Sequence, residues 1–434
     1  MLDGFWFLIY NWMIAPVLII LAHLGALFHP KVRAGVLGRY RTAGKIRRFG
    51  QQGSSQRAPL FLFHCASMGE FEHVKPLITA LKEKDARCRI VVMFFSPSGY
   101  ENVREFPGVD LFVYAPFDIW WPVYRMFRRL SPYALLISRH DVWPAQIWVA
   151  RRLGVPVFLV NASLHADSGR LGFPMGLFNR RVYRHFTRIL AVSPLDEERF
   201  RQWVDRDRVQ VVGDTKYDQV LYRVQESRQK ALLPEVIYRN RPVLVAGSTW
   251  PEDEEHLLPA LVSVRQQVPD LLSIICPHEP TQEHLRRIEA VLQHHGVIRF
   301  SRLEHYRSQP FIVIDRIGIL ANLYSLAWVA YVGGSFKQNV HNVLEPAAYG
   351  IPVLFGPVHQ HSHEAQLLKA DGAAVEVHNA AEIAYWLKEL LTNSNLRTGK
   401  GRRAREIARE NSGATQKILQ AVWNDLIHHY QRGA

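Results

Sequence analysis

Acidic residues are missing from the front of this chain. No Asp or Glu occurs between Asp3 and Glu70, while eight Lys and Arg side chains fall in the same interval. Across all 434 residues the formal net charge is +14, which points to an anionic partner. Zinc-type Cys/His spacings, basic-aromatic motifs and an arginine-rich tail are all absent, so nucleic acid is not that partner. A membrane surface or a phosphorylated substrate remains. Cysteine is also scarce: Cys65, Cys88 and Cys276 are far apart. That excludes a disulfide framework and fits a reducing, cytosolic compartment. Neither a Walker A sequence nor G-x-G-x-x-G is present, and there is no short-period repeat. His359, His361 and His363 alternate behind Pro357 without acids close in sequence, so no metal is expected.

What is present first is apolar. Residues 4–30 contain no charged side chain, and Phe5 to Phe28 would span about 36 Å as a helix, enough for a bilayer. Trp6, Tyr10 and Trp12 near one end suit an interface, whereas Asn11, Pro16 and His23 interrupt the run. A signal peptide would begin basic, and this one carries Asp3. Lys31, Arg33, Arg39, Arg41, Lys45, Arg47, Arg48 and Arg57 follow as a basic collar. The charge asymmetry predicts that the rest of the chain lies on the cytoplasmic side of a membrane, against anionic headgroups. A spanning helix, a shallow anchor and a buried first helix of a soluble domain all fit. Since no candidate site residue lies in residues 1–28, their removal is expected to leave a folded protein.

From Pro59 onward short apolar runs alternate with amphipathic stretches. The runs are 60–63, 90–95, 111–114, 134–137, 155–160, 189–192 and 209–212. After a polar stretch at 225–242 a second series follows at 243–246, 271–276, 297–300, 311–314, 329–332, 353–355 and 374–377. This pattern predicts α/β architecture: two Rossmann-like, doubly wound domains facing a cleft, with ligands at the carboxyl ends of their strands. The expected divisions are an anchor at 1–30, a first domain at 31–224, a linker at 225–242, and a second domain at 243–434 that includes the C-terminal helices.

The candidate chemistry lies just after strands. Ser67-Met68-Gly69-Glu70 puts a carboxylate at a strand-to-helix turn, where it either caps the helix or accepts a proton. Such placement lowers a carboxyl pKa, so Glu70 is expected to stay ionised. Gly247-Ser248-Thr249, followed by an acidic helical start, suits a phosphate or sugar, or merely caps. His278 follows another strand. Gly333 and Gly334 end a strand, and Asn342 and Glu345 share one face of a helix start. A carboxylate beside glycine-rich amides can grip sugar hydroxyls.

Together these stretches resemble the 3-deoxy-D-manno-octulosonic acid (Kdo) transferases of lipopolysaccharide assembly, over nearly the whole chain. The resemblance implies a GT-B glycosyltransferase that moves Kdo from CMP-Kdo onto a lipid A precursor, with inversion and without metal or other cofactor. Ser67-Met68-Gly69-Glu70 is similar to the family's Ser-(hydrophobic)-Gly-Glu, which makes Glu70 the base. Thr215-Lys216-Tyr217-Asp218 is similar to its Leu-Lys-Phe-Asp segment, which gives Lys216 a charge-stabilising role. Gly247-Ser248-Thr249 and Gly333, Gly334, His341, Asn342 and Glu345 resemble the nucleotide-gripping motifs. By the same resemblance Ser248, Thr249, Pro277, His278, Ile317, Gly318, Gly334, Asn342 and Glu345 bind the donor. The chain departs from the family at three places. Arg139 stands at the first acid of Glu-Thr-Glu-(aliphatic)-Trp-Pro, Pro277-His278-Glu279-Pro280 lacks the usual arginine, and Ile317-Gly318-Ile319 replaces Met-Gly-Glu. Arg139 is a candidate to restore positive charge from across the cleft. The competing readings are a GT-B transferase or epimerase using a UDP-sugar, and a non-catalytic relative that binds anionic lipid.

Overall fold

The computed structural model describes residues 2–52, 58–103, 105–227 and 232–431. Arg57 of the collar, and residues 228–231 of the expected linker, lie outside the described residues. The chain divides into two compact units, residues 1–219 with 412–434, and residues 220–411.

The first unit is built on a parallel sheet of seven strands. These are β1 (Leu60–Cys65), β2 (Arg89–Phe94), β3 (Leu111–Tyr114), β4 (Ala134–Ser138), β5 (Val157–Ala162), β6 (Arg188–Ala191) and β7 (Val209–Val211). They run in the order β3-β2-β1-β4-β5-β6-β7. Along β1 the side chains alternate between two apolar clusters, with Leu60 and Leu62 in one and Phe61, Phe63 and Cys65 in the other. Both faces are therefore covered, which is why the strand reads as a continuous apolar run. The order reverses between β1 and β4, and that switch point is where such sheets hold ligands.

The front of the chain packs on this unit. Helices α1 (Leu2–Ile9) and α2 (Ala15–Phe28) are joined by a π turn at Tyr10–Ile14. Gly4–Phe28 is long and apolar enough to cross a membrane. Yet Trp6 meets the Phe178 ring at 5.4 Å, and Phe7 meets Trp120 at 5.2 Å and Trp148 at 5.4 Å. The Asn11 side-chain oxygen accepts from the Trp120 N–H at 2.8 Å. The collar forms a helix of its own, α3 (Pro30–Gln52), which turns back along α2. The Arg33 guanidinium donates to the Ala26 and Leu27 carbonyls at the end of α2, at 2.9 and 3.0 Å. His23 and the Tyr40 hydroxyl lie 2.9 Å apart. The other side of α3 lies on strand β3. The Thr42 hydroxyl accepts from the Tyr114 N–H at 3.1 Å, and any side chain at Gly38 would strike the Tyr114 ring. The expectation of a separable anchor at 1–30 is thereby corrected: aromatic packing and hydrogen bonds tie Trp6, Phe7, Tyr10 and Asn11 to the first unit's core, while Leu8 stays exposed.

A second correction concerns the C-terminus, expected in the second unit. The helix Ala414–Gln431 packs on α4 (Met68–Lys84) through Ile418, Leu419, Val422 and Leu426, inside the first unit's second cluster. Asp218 holds its start, accepting from the Gly413 and Thr415 N–H groups at 2.5 and 2.7 Å. Arg188 grips Asp425 with two nitrogens at 2.6 and 2.7 Å.

The second unit has its own parallel seven-stranded sheet. Its strands are β8 (Val243–Thr249), β9 (Leu272–Pro277), β10 (Val297–Arg299), β11 (Phe311–Val313), β12 (Val329–Val332), β13 (Val353–Phe355) and β14 (Ala374–Glu376). The order is β10-β11-β9-β8-β12-β13-β14, with the reversal between β8 and β12.

Candidate active site

In the first unit the candidate residues gather at the switch point. β1 ends at Cys65, Ser67 is the cap residue, and α4 begins at Met68. Glu70 therefore sits in the first helical turn. Its Oε2 accepts from the Ala66 N–H at 2.5 Å, so the carboxylate does close the turn. It is also 7% exposed. Burial, helped by the nearby Asp141 charge, raises its pKa above the ordinary carboxyl value, against the Ala66 hydrogen bond, His64 and Arg139, which all lower it. The expectation of a lowered pKa is thus reversed. The helix end offers one short hydrogen bond, but desolvation outweighs it. The result is a more basic carboxylate than a solvated one.

Asp141 is the neighbouring acid. It follows β4 and lies 2.9 Å from His64 Nε2 at the end of β1. Burial works upward on its pKa, but the His64 hydrogen bond and charge hold it below the usual range. Asp141 and Glu70 are thus driven in opposite directions, one kept ionised and the other made easier to protonate.

Arg139 occupies left-handed backbone, φ 58°, directly after β4. Its guanidinium donates to His73 Nδ1 at 2.9 and 3.1 Å and lies 3.6 Å from Asp214. His73 is one turn beyond Glu70 on α4. Burial and then the Arg139 charge push its pKa down to about 4, so the ring is neutral and accepts from the arginine. Lys216 shares Asp214, with Nζ at 3.4 Å and its own N–H bonded to Oδ1 at 2.9 Å. Burial lowers the Lys216 pKa against the pull of Asp214. Arg139 and Lys216 thus share the Asp214 carboxylate, and of the two it is Arg139 whose charge reaches Glu70. The Arg139 guanidinium is engaged within its own unit.

In the second unit a cavity of about 410 Å³ opens at the corresponding switch point. Of the residues expected to bind the donor, Ser248, His278, Gly318, Asn342 and Glu345 line it. Ser248 is held in left-handed backbone, φ 54°, and Gly333 must be glycine because a Cβ there would collide with the Ser248 carbonyl. Asn342 Oδ1 accepts from the Leu344 N–H at 3.1 Å, setting the start of the helix that carries Glu345. Thr249, Pro277 and Gly334 are buried away from the cavity, and Ile317 is exposed outside it. Strand alternation explains Thr249: its hydroxyl turns inward and donates to Glu254 at 2.8 Å.

Two contributors, Arg223 and Asp253, escape motif reading, while His341 is expected from its motif. Arg223 comes from the helix Thr215–Ser227 and donates to Glu345 Oε1 at 2.8 Å inside the cavity. His341 stacks on His278 at 4.4 Å and accepts from Trp250 Nε1 at 2.9 Å, and its pKa is lowered to about 4 by burial and by His278. Asp253 is buried and accepts from the N–H groups of Trp250, Gly334 and Ser335 at 2.9, 2.7 and 3.2 Å. It ties the turn after β8 to the turn after β12. An acid three residues into a helix reads as a cap, and only the fold shows what else it reaches. His359, Glu376 and their neighbours lie elsewhere; His359 Nε2 is 2.7 Å from Glu376.

Comparison with known proteins follows the same lines. Residues 44–219 match the family described as 3-deoxy-D-manno-octulosonic-acid transferase (kdotransferase). The 3-deoxy-D-manno-octulosonic acid transferase of Chlamydophila psittaci is 31% identical over 327 residues, which is 73% of this chain and 73% of that protein. The Chlamydia trachomatis serovar A protein of the same name is 27% identical, over 90% of this chain and 91% of its own length. That of Haemophilus influenzae is 26% identical over 86% and 90%. Among solved structures, UDP-GlcNAc 2-epimerase from Neisseria meningitidis bound to UDP-GlcNAc superposes with a TM-score of 0.59 at 13% identity, covering 85% of this chain and all of that one. A glycosyltransferase from Rickettsia africae gives 0.53 at 10%, covering 86% and 99%. At these identities the structural likeness establishes the fold, that of the GT-B transferases and epimerases.

Proposed function

The chain belongs to the 3-deoxy-D-manno-octulosonic acid transferase family, and from that premise we propose that it moves Kdo from CMP-Kdo onto a lipid A precursor, without metal and with inversion at the anomeric carbon. The observation that carries the mechanism is the buried Glu70 carboxylate, raised in pKa at the switch point of the first unit. Glu70 takes the proton of the acceptor hydroxyl as its oxygen attacks the anomeric carbon of Kdo. The bond from that carbon to the CMP phosphate oxygen breaks, and CMP leaves with the electron pair. Attack from the face opposite the leaving group inverts the centre.

The departing phosphate gains charge and needs cations or N–H donors. Lys216 serves that need, as the resemblance implied. Arg223 supplies the guanidinium that Pro277-His278-Glu279-Pro280 lacks, and Glu345 grips the ribose hydroxyls; both line the cavity with Ser248 and His278. Arg139, held by His73 and Asp214, offers a cation near Glu70 to the carboxylate of the sugar acid.

The enzyme works on the cytoplasmic face of the inner membrane, lying in the interface. An upright α2 would take α3 into the bilayer with it, because Arg33 and Tyr40 bind the two helices together. Instead Trp12, Leu21, Leu24 and Phe28 stay exposed on α2 and its approach, and Lys31, Arg33, Arg41, Lys45, Arg47 and Arg48 stay exposed on α3. That pairing of apolar and basic faces suits an anionic interface.

Mass spectrometry of a lipid A precursor incubated with CMP-Kdo tests the reading. A product heavier by Kdo is expected, and its absence, with EDTA present or not, overturns it.

A further inference from the structure

The first unit contains a second cavity, of about 250 Å³, which the transfer chemistry does not use. Its walls are almost wholly apolar. Leu18 and Ala22 come from α2, Val36 from α3, and Phe95, Phe117 and Trp143 from segments that follow β2, β3 and β4. One wall is therefore the apolar helix that exposes its outer face, and the other is the carboxyl edge of the sheet. The polar groups are few: Lys31, Arg39, Ser96 and Asp118. Asp118 is already satisfied, by Tyr10 at 2.7 Å and by the Ala145 and Gln146 N–H groups at 2.9 and 3.2 Å. Arg39 is fixed by the Gly35 and Phe95 carbonyls at 2.9 and 2.7 Å, and with Lys31 it supplies the cavity's positive charge.

The cavity lies at the same sheet edge as Glu70, which follows β1. Trp143 stacks on Phe95 at 4.6 Å, and the Arg39 guanidinium lies over the same Phe95 ring at 4.8 Å while donating to its carbonyl at 2.7 Å. Trp143 is two residues beyond Asp141. Asp141 stands near enough to act electrostatically on both Arg39 and Glu70. An amphiphile with its chain in the cavity would bring its head to the sheet edge that holds the base.

We propose that this cavity receives a segment of one acyl chain of the amphiphilic acceptor, with Lys31 and Arg39 on its anionic head. The inference rests on the transferase reading above. The volume argues for part of one chain: a dry apolar cavity of about 150 Å³ is filled by a benzene-sized group, and this one is not twice that. Its position argues for the acceptor over bulk phospholipid, since bulk lipid meets the exposed outer face of α2, whereas the cavity ends beside the catalytic edge.

Calorimetry with straight-chain alkyl phosphates of increasing length, each below its micelle concentration, tests the cavity without any transfer. Affinity is expected to rise about fourfold per methylene and then to level once the cavity is full. In Ala22→Trp the levelling should come at a shorter chain; Ala22→Leu, a smaller change, gives the same direction if the tryptophan variant melts early. A series that never levels, or is identical in the variants, overturns the proposal. Transfer assays then identify the source of the chain. Removing the acyl chains from the acceptor should raise KM at least tenfold in the unsubstituted enzyme. Ala22→Trp should raise KM for the acylated acceptor and leave KM for the deacylated one unchanged. Alkyl-phosphate binding with no acyl dependence of KM would assign the cavity to bulk lipid and overturn the proposal. Failure of the enzyme to transfer Kdo at all would sink the functional reading and leave the alkyl-phosphate result standing.

Discussion

Tyr10 donates its hydroxyl hydrogen to Asp118 at 2.7 Å, joining the apolar N-terminal segment to a buried carboxylate 108 residues away. Asp118 also accepts from the backbone that opens the helix Pro144–Arg152, so one acid fixes two elements. Burial raises its pKa to about 6 even so. A carboxyl whose folded pKa exceeds its unfolded value weakens the fold as pH climbs from the unfolded value through the folded one. Tyr10 limits that penalty by bonding the ionised form. Tyr10→Phe should therefore cost about 1.5–3 kcal/mol at neutral pH. The deficit should shrink as pH falls below about 6, where Asp118 is protonated in both proteins. Melting temperatures across pH 5 to 8 check this; a pH-independent deficit would mean that the hydroxyl acts by packing alone.

Deleting residues 1–28 should destabilise the first unit, because it strips Phe7 and Tyr10 from Trp148 and leaves Asp118 short of a partner. Removal of a buried aromatic costs about 3–5 kcal/mol. CMP binding should persist, since the cavity holding Ser248 and Glu345 lies within the second unit. Thermal melts with and without CMP separate the two effects. An unaltered melt would show that the segment is dispensable.

Arg223→Ala should weaken CMP more than cytidine. Its guanidinium is proposed to meet the phosphate, which cytidine lacks. Loss of a charge-assisted hydrogen bond is worth about 1.5–3 kcal/mol, or about ten- to 150-fold in affinity. Glu345→Ala should instead weaken both ligands by a similar factor, because both carry the ribose. Calorimetry on the four combinations checks the assignment. Equal loss of CMP and cytidine in Arg223→Ala would move the arginine off the phosphate.

Arg139→Ala should raise the His73 pKa from about 4 toward, but not to, the ordinary histidine value, because burial rather than the arginine is the larger cause of its depression. Turnover should fall, and Arg139→Lys should recover only part of it, since a lysine keeps the charge without the two-nitrogen grip on His73. NMR titration of the His73 ring reads the first effect. An unmoved titration would show that the arginine charge does not reach the ring.

The strands were legible because a parallel strand covered on both faces must be apolar throughout, as Leu60, Phe61, Leu62 and Phe63 are. That Ser248 and His278 meet at one cavity was legible because each lies at the carboxyl end of a strand of the same sheet. The docking of α1 was not, since hydropathy cannot tell a face that meets protein from one that meets lipid; the clue lay in Tyr10 and Asn11, whose polar atoms needed partners. Thr249 illustrates a second limit: adjacency to a site does not say which way a side chain turns. Arg223 shows a third, because its partner Glu345 lies 122 residues away and no motif joins them.

Glu70 both closes the first turn of α4 and is proposed to take the acceptor's proton, and Glu70→Gln separates these roles. The variant keeps an oxygen to accept from Ala66 but cannot act as base. If the carboxylate were only a cap, its loss would cost stability and spare turnover. The raised pKa predicts the reverse. A buried carboxyl with its pKa above the unfolded value costs the fold stability once it ionises, a cost absent at low pH and full above the folded pKa. Glu70→Gln should thus melt at the same temperature as the unsubstituted protein in acid and at the same or a higher temperature near pH 8. Turnover should fall about 10²–10⁴-fold with CMP affinity unchanged. In the unsubstituted enzyme, the acid limb of the kcat/KM profile should lie above the ordinary glutamate range, because the free enzyme's base must be deprotonated to act. Single-turnover transfer, melting and calorimetry on one preparation decide the matter: an early melt with near-normal transfer would leave Glu70 a structural residue.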